Sequence, residues 1–379
     1  MNILIISRGT PSLHDPQWGN FEKEQAIALV NYGHQVIMMS INRKFRWKNW
    51  FGLEVKEDDG IKSYNLNLPP IFNERFVLTI SLLQKFSLWL YRKILADGFE
   101  PDLIYSHYLN NSILGVSIKK QYNIPLVAIE HWSKITDMTL PYYIRLMGSI
   151  VYKNSDLVIS VSKSLHKRIK KHFGRDSIII NNMVSSDFVY STFKHDMNTQ
   201  ECHFVSIGSL IQRKGFDCLI KAFSQVVKIR KNVRLSIIGD GIEYDRLKDL
   251  ISSNNADSYI SLLGRKNKAE IVELLDESEA FILTSRSETF GVVYIEAMMM
   301  GLPVIATVCG GPEEFISHEN GLLVDVDNIG EIVNAIIYLV DNIDKYDREK
   351  IADNCKKRFS SEVIVQQLNE SFEAVLKIS

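Results

Sequence analysis

The chain has 379 residues, 46% of them hydrophobic, and a formal net charge of −1, enough for two domains with separate cores. No apolar run reaches the roughly 18 residues of a membrane span, and the amino terminus MNILIISRG lacks the basic lead and cleavage site of a signal peptide, so a cytoplasmic protein is expected. Charge is uneven: residues 1–190 hold 23 Lys and Arg against 16 Asp and Glu, a surplus of seven, and the remainder holds 21 against 29, a deficit of eight.

Strand-like and helical stretches alternate along the chain, which predicts parallel α/β architecture. In the first half NILIIS, HQVIMMS, DLIYS, PLVAIE, DLVISV and SIIIN read as strands, with helices over 22–32, 76–97 and 141–154 between them. After the first strand comes a loop rich in Gly, Pro and polar residues. Gly9 and Gly19 on it let backbone approach a ligand closely. The strand PLVAIE ends in Glu130-His131-Trp132, and a His at the carboxyl end of a strand is a better candidate for chemistry than one placed elsewhere. Two basic clusters, Asn42 to Phe51 and His166 to Arg175, read either as solvated faces or as surfaces for an anionic membrane or a phosphate-linked acceptor. No nucleic-acid module accompanies them.

The polar stretch Thr192 to Glu201 is the natural linker to a second series of strands: HFVSIG, RLSIIG, YISLLG, AFILT, PVIAT and GLLVD. The expected domains are 1–190 and 191–360, two doubly wound sheets whose strand ends face a cleft, with a last helix at 361–379. Where the strand HFVSIG ends, a loop carries Arg213 and Lys214, two cations able to neutralise a leaving diphosphate. Gly239-Asp240-Gly241 lacks the third glycine of a dinucleotide fingerprint and reads as a turn. Cys202, Cys218, Cys309 and Cys355 lack metal-ligand spacing and an oxidising context, so no disulfide is expected.

The most telling run is SETFGVVYIEAMMMGLPVIATVCGGPEEF, Ser287 to Phe315. It places Glu288 on a loop after a buried strand and Glu296 eight positions on, in the second turn of a helix that stops at Gly301-Leu302-Pro303. Helical side chains lean towards the amino terminus, so Glu296 is expected to reach back over the groove that Glu288 rims, where the helix start suits a diphosphate.

The whole run resembles the signature of the retaining glycosyltransferases of family 4, two-domain enzymes of the GT-B fold. That resemblance implies a hexose-type transfer from a nucleoside diphosphate sugar, a UDP-sugar favoured, to a glycan or lipid-linked glycan in surface polysaccharide assembly. It implies that Arg213 and Lys214 grip the pyrophosphate without a metal or other cofactor. It also implies that Glu296 takes the ribose hydroxyls, that Glu288 takes a sugar hydroxyl, and that backbone N–H groups near Phe290, Gly291 and Val292 meet sugar and phosphate. Arg265 then falls where the family holds the base, His131 contacts the donor sugar and the reaction centre, Gly9 lies on the donor side, and Gly19 and Glu130 lie on the acceptor side. The family commonly has a glycine pair on the first loop, whereas here Asn20 follows Gly19. In such enzymes the last helix crosses back to the first domain. A GT-B-type nucleotide-sugar epimerase and an inactive nucleotide-sugar-binding scaffold stay open as alternatives.

Overall fold

A computed structural model describes residues 1–11, 18–43, 51–72, 77–190 and 201–378. The chain folds as two compact units, Met1–Asn181 together with Ser361–Ser379, and Asn182–Ser360. The first division thus falls ahead of the boundary expected at 190. Residues 182–190 join the second unit: Val184 N–H donates to the Phe359 carbonyl at 2.8 Å, Lys268 pairs with Asp187 at 2.8 Å, and Phe188 is buried. Of the expected linker, 192–200 lies outside the described residues, as does 44–50 of the first basic cluster.

The first unit runs β1 (Asn2–Ser7), α1 (Asn20–Asn31), β2 (Gln35–Asn42), β3 (Gly52–Asp58), β4 (Ile61–Asn67), α2 (Val77–Ala96), β5 (Leu103–His107), α3 (Leu109–Tyr122), β6 (Leu126–Glu130), α4 (Tyr142–Asn154), β7 (Leu157–Ser160), α5 (Lys163–Phe173) and β8 (Ile178–Ile179). Its strands lie in the order β3-β4-β2-β1-β5-β6-β7-β8, parallel except for the antiparallel pair β3 and β4. The inner strands are unbroken apolar runs because helices cover both faces of a parallel sheet, and β1 and β5 are buried accordingly. The hairpin turns through Asp59 and Gly60, both at positive φ, with Asp58 opposite Ile61. The Asp-Gly pair is the chemistry of a two-residue turn. The expected strand Ser177 to Asn181 shrinks to two half-exposed residues at the sheet edge.

The second unit runs β9 (Cys202–Ile207), α6 (Phe216–Ile229), β10 (Val233–Ile238), α7 (Tyr244–Ser253), β11 (Ile260–Leu262), α8 (Lys268–Asp276), β12 (Ala280–Leu283), α9 (Val292–Met299), β13 (Val304–Thr307), β14 (Gly321–Val324), α10 (Ile329–Asp341) and α11 (Arg348–Phe359). Its sheet is parallel throughout, in the order β11-β10-β9-β12-β13-β14. Strand order reverses between β9 and β12, where the outgoing chains diverge and leave a crevice. In the first unit it reverses between β1 and β5.

The final helix, α12 (Ser361–Leu376), belongs to the first unit, where Phe372 sets its ring edge-on against Tyr105 of β5 at 5.0 Å. Among the described residues no helix is long and apolar enough to cross a membrane.

Candidate active site

The second unit brings Arg213, Lys214 and Glu288 together where β9 and β12 part. A 3-10 turn, Gln212–Lys214, leaves β9 and leads through Gly215 into α6. Gly215 has φ 69°, and a side chain there would place its Cβ 2.0 Å from the Thr284 carbonyl oxygen, so only glycine lets the turn lie against the end of β12. The two loops then bond to each other. Arg213 Nη1 donates to the Ser287 carbonyl at 2.9 Å and Lys214 Nζ to Glu288 Oε1 at 2.6 Å; Arg213 Nη1 also stands 3.7 Å from Glu288 Oε2.

Glu288 is 6% exposed. Its carboxylate also accepts from Ser285 Oγ at 2.7 Å, and its N–H donates to the Cys309 carbonyl. Burial alone would push its pKa up, but the Lys214 charge and hydrogen bond, with Ser285 and Arg213, hold it below the ordinary carboxylate value. The residues expected to face diphosphate and sugar therefore neutralise one another in the free protein. Glu296 is half-buried at the fifth position of α9. Phe290 is spent on the core, packing on Phe315 and Phe359 at 5.2 and 5.7 Å, which leaves only its backbone for a ligand. Gly291 caps α9 and Val292 is its first residue. Arg265 lies beyond β11, half-exposed and 3.9 Å from Asp240. Asp240 sits in the glycine turn, whose carbonyl accepts from Leu210 N–H at 2.9 Å.

The first unit holds an aromatic and ionic cluster at the ends of β1, β5 and β6. Arg8, one residue past β1, makes a bidentate pair with the fully buried Glu22 of α1 at 2.7 and 3.0 Å. The guanidinium also stacks over Tyr108 at 4.4 Å and near Trp18 at 5.2 Å. Trp18 Nε1 donates to the Arg8 carbonyl at 2.9 Å. Gly9 and Gly19, expected on opposite substrates, are neighbours: a Cβ on Gly19 would lie 2.0 Å from the Gly9 oxygen. His131 is 8% exposed, its ring stacked on His107 at 5.4 Å and touching Phe21 and Tyr108. His107 is enclosed, and burial together with the Arg8 charge pushes its pKa down to about 3, so it stays a neutral ring. Tyr108 sits at φ 65°, ψ 144°, backbone that L-residues rarely adopt.

The Glu130 carboxylate turns inward and accepts from Leu109 N–H, His131 N–H, Trp132 N–H and the Tyr152 hydroxyl at 2.8 to 3.0 Å, so it ties β6 to α3 and α4. The sequence reading passed over Arg8, Glu22, His107 and Tyr108. The rule that singled out His131 would have found His107, which follows DLIYS at the carboxyl end of β5.

Residues 23–188 match the family described as Glycosyltransferase Family 4, and residues 191–358 the one described as Glycosyl transferases group 1. An uncharacterized glycosyltransferase of Methanocaldococcus jannaschii is 30% identical over 277 residues, 72% of this chain and 75% of that protein. The N-acetyl-alpha-D-glucosaminyl L-malate synthase of Bacillus anthracis is 26% identical, across 73% of this chain and 75% of its own length. In fold the chain is similar to sucrose-phosphate synthase from Thermosynechococcus elongatus, with a TM-score of 0.83 at 19% identity over all of both chains. It is also similar to Anabaena HepE, solved with UDP and glucose, with a TM-score of 0.76 at 21% identity over 99% of this chain and 100% of that one. On these matches and on its two parallel-dominated sheets, the chain belongs to glycosyltransferase family 4 and is a glycosyltransferase of the GT-B type.

Proposed function

We propose that this glycosyltransferase moves a hexose-type sugar from a nucleoside diphosphate donor, a UDP-sugar by preference, to a hydroxyl of a glycan or lipid-linked glycan, with retention at the anomeric carbon. The observation that carries the donor reading is the pairing of Arg213 and Lys214 with buried Glu288 at the crevice between β9 and β12. These cations are gathered at the crevice before any ligand arrives, and their side chains have only to turn from Glu288 to meet an anion. HepE, similar in fold, binds UDP and UDP-glucose, which favours the same nucleotide here.

In this reading the diphosphate draws Arg213 and Lys214 towards itself, and Glu288 exchanges cations for a sugar hydroxyl. The bond from the anomeric carbon to the phosphate oxygen breaks as the acceptor oxygen bonds to that carbon on the same face, and the acceptor's proton passes to the departing phosphate oxygen. The two cations balance the charge that builds on the diphosphate, so no metal or further cofactor is invoked. Glu296 holds the ribose, the backbone at Phe290 to Val292 meets sugar and phosphate, Arg265 borders the base, and His131 contacts the donor sugar. We place the work in the cytoplasm, in surface polysaccharide assembly. The exposed lysines of α5, Lys163, Lys167, Lys170 and Lys171, favour an anionic inner membrane face. Salt-sensitive retention on anionic vesicles checks that contact.

The test is diphosphate release from a panel of UDP-, GDP- and ADP-sugars by wild type, Lys214→Ala and Glu296→Ala. Release from one donor, suppressed by both substitutions, supports the reading. No binding of any of these nucleotides by the wild type would overturn it.

A further inference from the structure

Arg286 lies two residues before Glu288, on the loop after β12, and its bonds run to three other segments. Nε donates to both carboxylate oxygens of Asp327, beyond β14, at 2.8 and 3.0 Å. Nη2 donates to Asp217 Oδ2 at 3.0 Å and to Cys218 Sγ at 3.3 Å, both in the first turn of α6. Nη1 donates to the Gln212 carbonyl, and the Arg286 backbone N–H to the Arg213 carbonyl at 2.8 Å. The carbonyls of two successive residues in the cation-bearing turn are thus taken by one residue of the facing loop. Arg213 returns the bond through Ser287.

The partners are themselves arranged for this. Asp327 adopts φ 59°, and its Oδ1 also accepts from Cys218 Sγ at 3.1 Å. The Arg286 side chain is 24% exposed. With its charge taken up by Asp217 and Asp327, its role toward an anion runs through the backbone it fixes. A planar fork of five donors reaches acceptors on three segments at once, which a single ammonium does not.

We propose that Arg286 is a positioning residue for the donor diphosphate: by clamping the Gln212–Lys214 turn to the loop that carries Glu288, it sets where Arg213 and Lys214 present their charges. This rests on the donor reading above. A positioning role predicts a loss confined to the phosphates, because the nucleoside is held elsewhere.

Titration calorimetry with UDP, and ligand-observed NMR with uridine, on wild type, Arg286→Gln, Arg286→Lys and Asp327→Asn tests it. Asp327→Asn keeps shape and tolerates a positive φ, so it reports even where loss of the arginine compromises folding. Arg286→Gln should weaken UDP by at least about tenfold and leave uridine within about twofold, with Arg286→Lys and Asp327→Asn in between. Equal weakening of UDP and uridine, or unchanged UDP binding, would overturn the positioning role while leaving the donor reading intact. A wild type that binds UDP and uridine no better than background overturns this inference with the UDP reading beneath it.

Discussion

Two buried carboxylates show how partners decide what burial does to an acid. Every donor to Glu130 is neutral, and burial pushes its pKa up to about 7 in spite of them. Glu288 has Lys214 and Arg213 beside it and is held low. The consequences for stability have opposite signs. With a folded pKa near 7 and an ordinary value of 4.5, Glu130 contributes stability that is full below about pH 4.5 and gone above about 7, on the order of 3 kcal/mol. Glu130→Gln should abolish that slope. It should also cost about 2–4 kcal/mol at pH 5, because an amide turns N–H groups towards donors that need acceptors. Denaturant unfolding between pH 4.5 and 8 reads both. Glu288 contributes stability above its ordinary pKa that is lost as pH falls through its lowered one. Lys214→Ala leaves a buried carboxylate with Arg213 as its remaining cation and should lower stability by about 3 kcal/mol at pH 7, with partial recovery on acidification as that carboxyl protonates. Unchanged thermal unfolding across that range would contradict the pairing as the source of stability.

At the scale of elements, the site depends on two loops brought into backbone contact, and Gly215 is where that contact is tightest. Gly215→Ala forces a Cβ onto the Thr284 oxygen at a φ that alanine disfavours, so the turn must lift away from β12. The expected result is a loss of about 1–3 kcal/mol in stability, the cost of one strained residue, and UDP binding weakened more than uridine binding. Equal loss of both ligands would show that the turn does not set the phosphate contacts. The inner strands were legible in sequence, because parallel strands buried on both faces must be apolar runs. The β3–β4 hairpin escaped that reading: β3 is exposed along most of its length and its Leu-Glu-Val-Lys alternation carries no continuous apolar run. Its Asp-Gly turn was the available signal. The inward turn of Glu130 was not legible for a related reason, since position at a strand's end does not tell whether a side chain turns out to a ligand or in to the start of α3.

At the scale of the molecule, Arg213, Lys214, Arg265, Glu288 and Glu296 all lie in one continuous stretch, Asn182–Ser360, whereas the first unit is built from two separated pieces. The polar run at 192–201 pointed to a boundary. Polarity, however, does not reveal that Val184, Asp187 and Phe188 ahead of it are already bonded or buried within the second unit. This division has a direct consequence for dissection. A fragment of residues 182–360 should fold alone and bind UDP, with calorimetry as the readout and Lys214→Ala as the control. Ending the chain at Ser360 should do the reverse and damage the first unit. It removes Ile364, Val365, Leu368 and Phe372, each buried at about 2 kcal/mol, from a domain whose net stability is of that summed order. The truncated chain should lose the cooperative unfolding of the first unit and still bind UDP through the second. If it unfolds as the full chain does, α12 is an appendage of the first unit and not part of its core.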